Sequence, residues 1–244
     1  MRSILIIALI VVYVIATLPA ILVFHIISKK NPKKAERGAH ACMSWLLRSI
    51  AFIAGTKLVI KGFENVPTDK PVLYVSNHSS YFDIIFTYPR CALPTAYVAK
   101  SDLQHIPFFS IWGRLMRCLF FDRNDAKSSI KMIMDCTEDL KTDTSVYIFP
   151  EGMRNKTPGG LPLNKFHDGS FKPAQRSGAP IIPIAIKDAA SVWEAHMPWV
   201  KKKTIYITYG DPIYYKDLAP EDRKHIGGYV QKIVEDMLTA DPQD

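Results

Sequence analysis

Cysteine and acidic residues are the scarce groups in this chain, and each scarcity excludes something. The four cysteines (Cys42, Cys91, Cys118 and Cys136) form no CxxC and no Cys/His pairing at zinc spacing, which argues against a structural metal site. Thiols so far apart in sequence suit a reducing compartment and burial. Glycine and proline, 12 and 17 residues, are too few and too scattered for collagen or a linker protein, and there is no internal repeat. A GxSxG segment is also missing, which disfavours an α/β-hydrolase nucleophile. Charged and aromatic fractions of 22% and 11% do not fit a disordered chain. The length of 244 residues allows one full domain with a small appendage, and a core that needs no disulfide staples.

The acids are outnumbered 23 to 31 by Lys and Arg, giving a net charge of +8, and charge of either sign is absent from one long stretch. Ser3 to Ser28 (SILIIALIVVYVIATLPAILVFHIIS) has no Asp, Glu, Lys or Arg in 26 residues. About 20 helical residues cross a hydrocarbon core, so the run is long enough to span one. A soluble helix keeps a polar stripe that this run lacks. A secretory signal has an apolar region of about 7–15 residues, whereas this one is longer and ends in Lys29-Lys30. A retained membrane segment is therefore expected. Arg2 stands alone on one side, with Lys29, Lys30, Lys33, Lys34 and Arg37 on the other, which puts the rest of the chain on the cytoplasmic face. Pro19 predicts a kink. A second apolar stretch, Ala41–Gly55, is broken only by Arg48; it is short for a span and suits a helix lying in the interface. A single span and a two-helix anchor both fit. The lysine cluster suits anionic lipid headgroups better than nucleic acid, which calls for a basic stripe on a recognisable module.

From about residue 56 the texture changes, so membrane-anchoring helices are expected over 1–55 and an α/β domain over 56–244. Short β-rich runs fall at Lys57–Lys61, Val72–Ser76, Thr95–Ala99, Cys118–Asp122, Val146–Phe149, Ile181–Ile186 and Thr204–Tyr209. Helical patterns lie between several of them: Asp125–Leu140 opens with a capping Asn/Asp and has apolar residues at 126, 130, 133, 134 and 140. Residues 219–239 place Ile226, Tyr229, Val230, Ile233 and Met237 on one face. Near-continuous apolar strands alternating with helices predict an α/β fold with a mixed, mostly parallel sheet covered by helices. Residues Ala240–Asp244 are expected to fray.

Two strings carry chemistry. In VLYVSNHSSYFD (residues 72–83) a strand delivers Asn77 and His78 to its carboxyl end, where α/β sheets bind ligands. Five residues on a regular helix turn through about 500°, so His78 and Asp83 meet only if His78 lies in the loop and Asp83 in the first helical turn. Such contact fixes the imidazole tautomer and leaves the other nitrogen as a general base; a loop His beside a helix-capping Asp is the plainer alternative. In VYIFPEGMRN (residues 146–155) a second strand ends at Glu151, Gly152 and Arg154, where Gly permits a tight turn and Arg offers a fork for phosphate. A simple strand-to-loop turn with a solvated Arg has the same sequence. Lys100 and Arg123 each follow a strand and alone carry no weight.

Taken together, NHSSYFD followed ~70 residues later by FPEGMRN resembles the glycerolipid acyltransferase family, whose members show NHxxxxD and FPEGTR blocks in this order. YVAKSDLQHIPFFSIWGRLMRCLFFDR resembles the family's middle block, and FHDGSFKPAQRSGAPIIPIAI its fourth; the match covers roughly residues 57–190. Met153 stands where the family usually has Thr, and Asn155 where Ser is frequent. Within the family the chain looks most like the 1-acylglycerol-3-phosphate acyltransferases.

The resemblance implies transfer of a fatty acyl group from acyl-CoA or acyl carrier protein to a lysophospholipid hydroxyl, at a membrane and in phospholipid biosynthesis. It needs no metal and no organic cofactor. His78 would be the general base and Asp83 its partner. Arg154, Lys100 and then Arg123 would meet the acceptor's phosphate. Glu151 would bind a glycerol hydroxyl or hold Arg154, and Gly152 or the start of the helix after His78 would face the oxyanion. Another acceptor, such as glycerol 3-phosphate, or a catalytically silent lipid-binding member would show much the same blocks.

Overall fold

Pro19 has no amide hydrogen to give the carbonyl four residues back, and the apolar N-terminal run breaks there. The computed structural model, which describes residues 1–91 and 94–240, forms α1 (Arg2–Ala16) and α2 (Leu18–Lys30), bent by 50° at Thr17. The Thr17 hydroxyl donates to Tyr13 O at 2.7 Å, occupying a carbonyl at the bend. The expected membrane segment is thus two shorter helices, and among the described residues no single helix is long and apolar enough to cross a membrane. Helix α3 (Pro32–Ala54) contains the second apolar stretch and returns beside the pair, ending at Gly55 in the left-handed region at φ 71°. The return is close: a Cβ on Gly38 would lie 2.4 Å from the Phe24 ring, so a larger residue there would have to displace that ring.

Seven strands follow: β1 (Lys57–Lys61), β2 (Leu73–Ser76), β3 (Thr95–Lys100), β4 (Leu119–Phe121), β5 (Ser145–Ile148), β6 (Ile181–Lys187) and β7 (Thr204–Tyr209). They form one sheet in the order β1-β7-β6-β2-β5-β3-β4, with β6 and β7 antiparallel and every other pair parallel. The mixed, mostly parallel sheet is the one expected. Six further helices are α4 (Phe82–Thr87), α5 (Pro107–Leu115), α6 (Ala126–Lys141), α7 (Lys172–Ser177), α8 (Pro220–Lys224) and α9 (Ile226–Thr239).

Strand alternation divides the core in two. Tyr74, Tyr147, Ile182 and Ile184 point to one face and pack with Met43, Leu46 and Ile50 of α3 and with Phe82 and Phe86 of α4. Leu73, Val75, Val146 and Ile181 point to the other and meet α6, α7 and α9. The N-terminal helices therefore share a core with the sheet.

Two helices differ from expectation. In α6, capped by Asp125 through the Lys127 and Ser128 amides, the face against the sheet is Met132, Cys136 and Leu140, while Ile130 and Met134 are exposed. The pattern over 219–239 splits at His225 into α8 and α9, whose buried stripe is Ile226, Val230, Val234 and Leu238. Just past the break Gly227 packs closely: a Cβ there would lie 2.4 Å from Phe166 O, and its amide donates to Asp168 Oδ1 at 2.8 Å. Residues 241–244, most of the tail expected to fray, lie outside the described residues.

Candidate active site

Parallel pairing brings three carboxyl ends together. β2 lies between β5 and β6, so the loops after Ser76, Ile148 and Lys187 leave the sheet side by side. The end of β2 is pinned by Asn77, a buried side chain that behaves like one more rung of the ladder. Its Nδ2 donates to Ile186 O at 2.9 Å and its Oδ1 accepts the Ile186 amide at 2.8 Å. Leaving either group unmatched in the core would cost about 1–3 kcal/mol.

His78 is the next residue, still outside a helix, and α4 begins at Phe82, so Asp83 falls in its first turn. This is the arrangement in which the two can meet. His78 Nδ1 lies 2.8 Å from Asp83 Oδ2, with the carboxylate side chain wholly buried and the imidazole 16% exposed. The same Oδ2 accepts the amides of Ser79 and Ser80, each at 2.8 Å. Three donors on one oxygen hold the carboxylate rigidly and place the Nδ1 proton toward it. Nε2 is left to accept a proton. The ring stacks on Phe149, with centroids 4.0 Å apart.

Glu151 does not hold Arg154. Its Oε1 accepts the His78 amide at 2.7 Å and its Oε2 the Asn164 amide at 3.0 Å, so it ties three loop segments together from a buried position. Burial pushes its carboxyl above the ordinary range, and the two amides pull it partly back. The Asn155 amide donates to His78 O at 2.6 Å, and the Asn155 side chain donates to Gly160 O and Pro162 O.

Arg154 is held by a residue that no sequence pattern singled out. Its Nη1 lies 3.5 Å from Glu194 Oε1, its Nη2 donates to the Tyr81 hydroxyl at 3.0 Å, and its guanidinium sits 3.8 Å over the Tyr81 ring. Glu194 also accepts the Tyr81 amide at 2.8 Å and the Ser80 hydroxyl at 2.7 Å, so one carboxylate joins the loop after β6 to the segment bearing His78.

Gly152 adopts φ 69°, and a Cβ there would lie 3.7 and 3.8 Å from Arg123 Cδ and Nη1. Arg123 is thus beside the Glu151–Arg154 loop. Lys100, at the exposed end of β3, instead pairs with Asp102. Several of the amides expected to meet the oxyanion are already engaged. The Gly152 amide donates to Phe149 O at 3.0 Å, those of Ser79 and Ser80 go to Asp83, and that of Tyr81 goes to Glu194. Among the described residues no group of three or more His, Cys, Asp or Glu side chains is placed to hold a metal.

A buried carboxylate thus orients a mostly buried histidine at a strand end of an α/β sheet, with Arg154 held against the same segment. The model of one family, Acyltransferase, matches residues 57–187, and the chain belongs to that family. It is 31% identical over 158 residues to the chloroplastic 1-acyl-sn-glycerol-3-phosphate acyltransferase LPAT1 of Arabidopsis thaliana, a match covering 64% of this chain and 43% of that protein. The chain thus spans less than half the length of that relative. The 1-acyl-sn-glycerol-3-phosphate acyltransferase of Borreliella burgdorferi is 27% identical over 190 residues, 77% of this chain and 74% of its own. The crystal structure of the 1-acyl-sn-glycerophosphate acyltransferase PlsC from Thermotoga maritima shares the fold, with a TM-score of 0.74 at 20% identity over 98% of this chain and 97% of that one.

Proposed function

We propose that this protein transfers a fatty acyl group from a thioester, acyl-CoA or acyl carrier protein, to the sn-2 hydroxyl of 1-acylglycerol 3-phosphate, giving phosphatidic acid. The observation that carries this reading is the 2.8 Å contact of His78 with Asp83 beside the Arg123 and Arg154 guanidinium groups; the similarity to named acyltransferases supports the choice of substrates. A thioester is already activated, so the protein needs only to assist an alcohol. His78 Nε2 takes the hydroxyl proton as oxygen attacks the thioester carbonyl, a contribution of about 10²–10⁴-fold. Asp83 holds the Nδ1 proton in place and steadies the imidazolium that forms. The tetrahedral intermediate collapses with loss of the thiol, and the proton on His78 goes to the leaving sulfur. The acceptor's phosphate meets Arg154 and Arg123, and Lys100, paired with exposed Asp102, takes no part. No metal or prosthetic group takes part.

The same reading covers the N-terminal helices. Both ends of that layer touch the α/β domain: Ser3 Oγ donates to Pro198 O at 2.9 Å near one end, and Lys33 pairs with Asp143 at the other. A segment fastened at both ends to one domain lies along it rather than running away through a bilayer. Its outward side chains, among them Ile7, Val12, Ile15, Leu22 and Ile26, are exposed and apolar, which suits a layer seated in one leaflet. The cytoplasmic leaflet is where activated acyl donors are available.

The test is purified protein with oleoyl-CoA and a panel of acceptors, following thiol release and acylated product. Stoichiometric thiol and phosphatidic acid with 1-acylglycerol 3-phosphate is the expected result. Thiol without acylated lipid would mean a hydrolase. Product only with glycerol 3-phosphate or another lysophospholipid would reassign the acceptor.

A further inference from the structure

The segment from Trp193 to Lys203 bears groups that acyl transfer does not use. Met197 and Trp199 are 59% and 54% exposed, and Lys201, Lys202 and Lys203 follow, all exposed. The segment is well braced. The Trp199 amide donates to His196 O and the Lys201 amide to Val192 O, each at 2.8 Å, and the Trp193 indole donates to Pro198 O at 3.3 Å. An ordered loop that presents a tryptophan to solvent has not simply failed to bury it.

The loop is also joined to the start of α1. Ser3 Oγ accepts the Val200 amide at 2.9 Å and donates to Pro198 O. Arg2 and Lys202 both flank Gly55, where a Cβ would lie 3.5 Å from Arg2 Nε and 3.4 Å from Lys202 Cγ. The Lys57 amide donates to Lys203 O at 2.9 Å. Five cations, Arg2, Lys57, Lys201, Lys202 and Lys203, therefore gather at the end of the apolar layer, and none forms an ion pair among the described residues. Exposed Ile4 and Ile7 of α1 continue the apolar surface from that point.

We propose that residues 197–203, together with Arg2 and Lys57, form a docking surface for an anionic phospholipid bilayer. Trp199 and Met197 sit at the headgroup–acyl boundary, where tryptophan is favoured, and the lysines meet lipid phosphates, each contributing about five-fold to affinity. The charge complements an anionic leaflet, and continuity with the α1 face makes the partner a lipid surface rather than a soluble polyanion. Trp193 of the same loop packs against Tyr81, with ring centroids 5.8 Å apart, so the docked loop also touches the segment that bears His78. The inference rests on the leaflet-seated placement proposed above.

The test is flotation of the full chain on phosphatidylcholine vesicles with and without phosphatidylglycerol. Wild type should bind both, more tightly when phosphatidylglycerol is present. A Lys201→Gln/Lys202→Gln/Lys203→Gln variant should lose about ten-fold or more of that gain, with unchanged binding to phosphatidylcholine and unchanged turnover in detergent. Trp199→Phe should remove a fluorescence component quenched by brominated acyl chains. Full retention of the gain in the triple variant would overturn the proposal, as would its loss only in Lys29→Gln/Lys30→Gln/Lys34→Gln. A triple variant that keeps the gain but fails with acyl carrier protein as donor would make the patch a carrier dock instead. Wild type that floats on neither vesicle would overturn the leaflet placement as well.

Discussion

Glu151 reaches His78 through the main chain and not through the ring: Oε1 accepts the His78 amide at 2.7 Å, while Asp83 holds Nδ1 at 2.8 Å. Two acids thus divide one task, the first fixing where the backbone of His78 stands and the second how its imidazole is turned. Glu151→Gln would direct an amide NH₂ at one of two backbone N–H groups. Misplacement of a reacting group by ~1 Å costs about 10²-fold, so kcat should fall by about 10–100-fold with a smaller change in acceptor KM. Steady-state kinetics in both substrates checks this; a raised KM with unchanged kcat would make Glu151 a substrate ligand.

Asp83→Asn should lower kcat by about 10²–10⁴-fold and leave acceptor binding nearly unchanged, because the lost charge matters most when the ring is protonated. His78→Ala should abolish turnover with a near-normal melting curve, since its side chain lies at the edge of the core. Retention of more than a few per cent of activity by His78→Ala would remove it from the mechanism.

The two cation positions should separate. Arg154→Ala, which removes a guanidinium held over Tyr81, should raise acceptor KM by about ten-fold or more. Lys100→Ala, which removes a partner of exposed Asp102, should leave KM within about two-fold. Kinetics over a range of acceptor concentration distinguishes them, and equal effects would restore Lys100 to the phosphate site.

Glu36 of α3 and Asp139 of α6 are buried near one another, with Arg117 paired to Asp139. Burial raises both carboxyls above their ordinary range; Asp139 raises Glu36 further, Asp135 and Asp143 raise Asp139 further, and Arg117 pulls both back. A raised folded value means that the native state holds extra protons just above the ordinary value of about 4. Their contribution is therefore greatest in acid and declines as pH rises through the raised values. Glu36→Gln removes one of these titrations and should raise the melting temperature at pH 7 more than at pH 4. Thermal melts across that range check the sign; an equal shift at both ends would trace the effect to packing.

All seven strands were legible as β-rich runs within a residue or two at their ends; central β2, β5 and β6 are buried on both faces and read as near-continuous apolar runs. The His78–Asp83 contact was legible in the same way, since a strand end followed by a helix start makes a five-residue spacing work. The face of α6 was not. Ile130 and Met134 are as apolar as Met132 and Cys136, and only the sheet decides which pair is covered. Pro19 announced a kink, yet its consequence, a helix pair lying along the domain, depends on Ser3 finding Pro198 and Lys33 finding Asp143 at separations of 195 and 110 residues. Glu194 was invisible for a similar reason: it meets Ser80 across 114 residues, from a loop whose sequence carries no block of its own.

The bend at Thr17 and the fastenings at Ser3 and Lys33 have a consequence for substrate access. A layer riveted at both ends cannot sink or rise without carrying the histidine with it. With that layer seated in a leaflet as proposed, chemistry is confined to one depth, and an acceptor hydroxyl riding higher or lower than that plane passes out of reach whatever its headgroup.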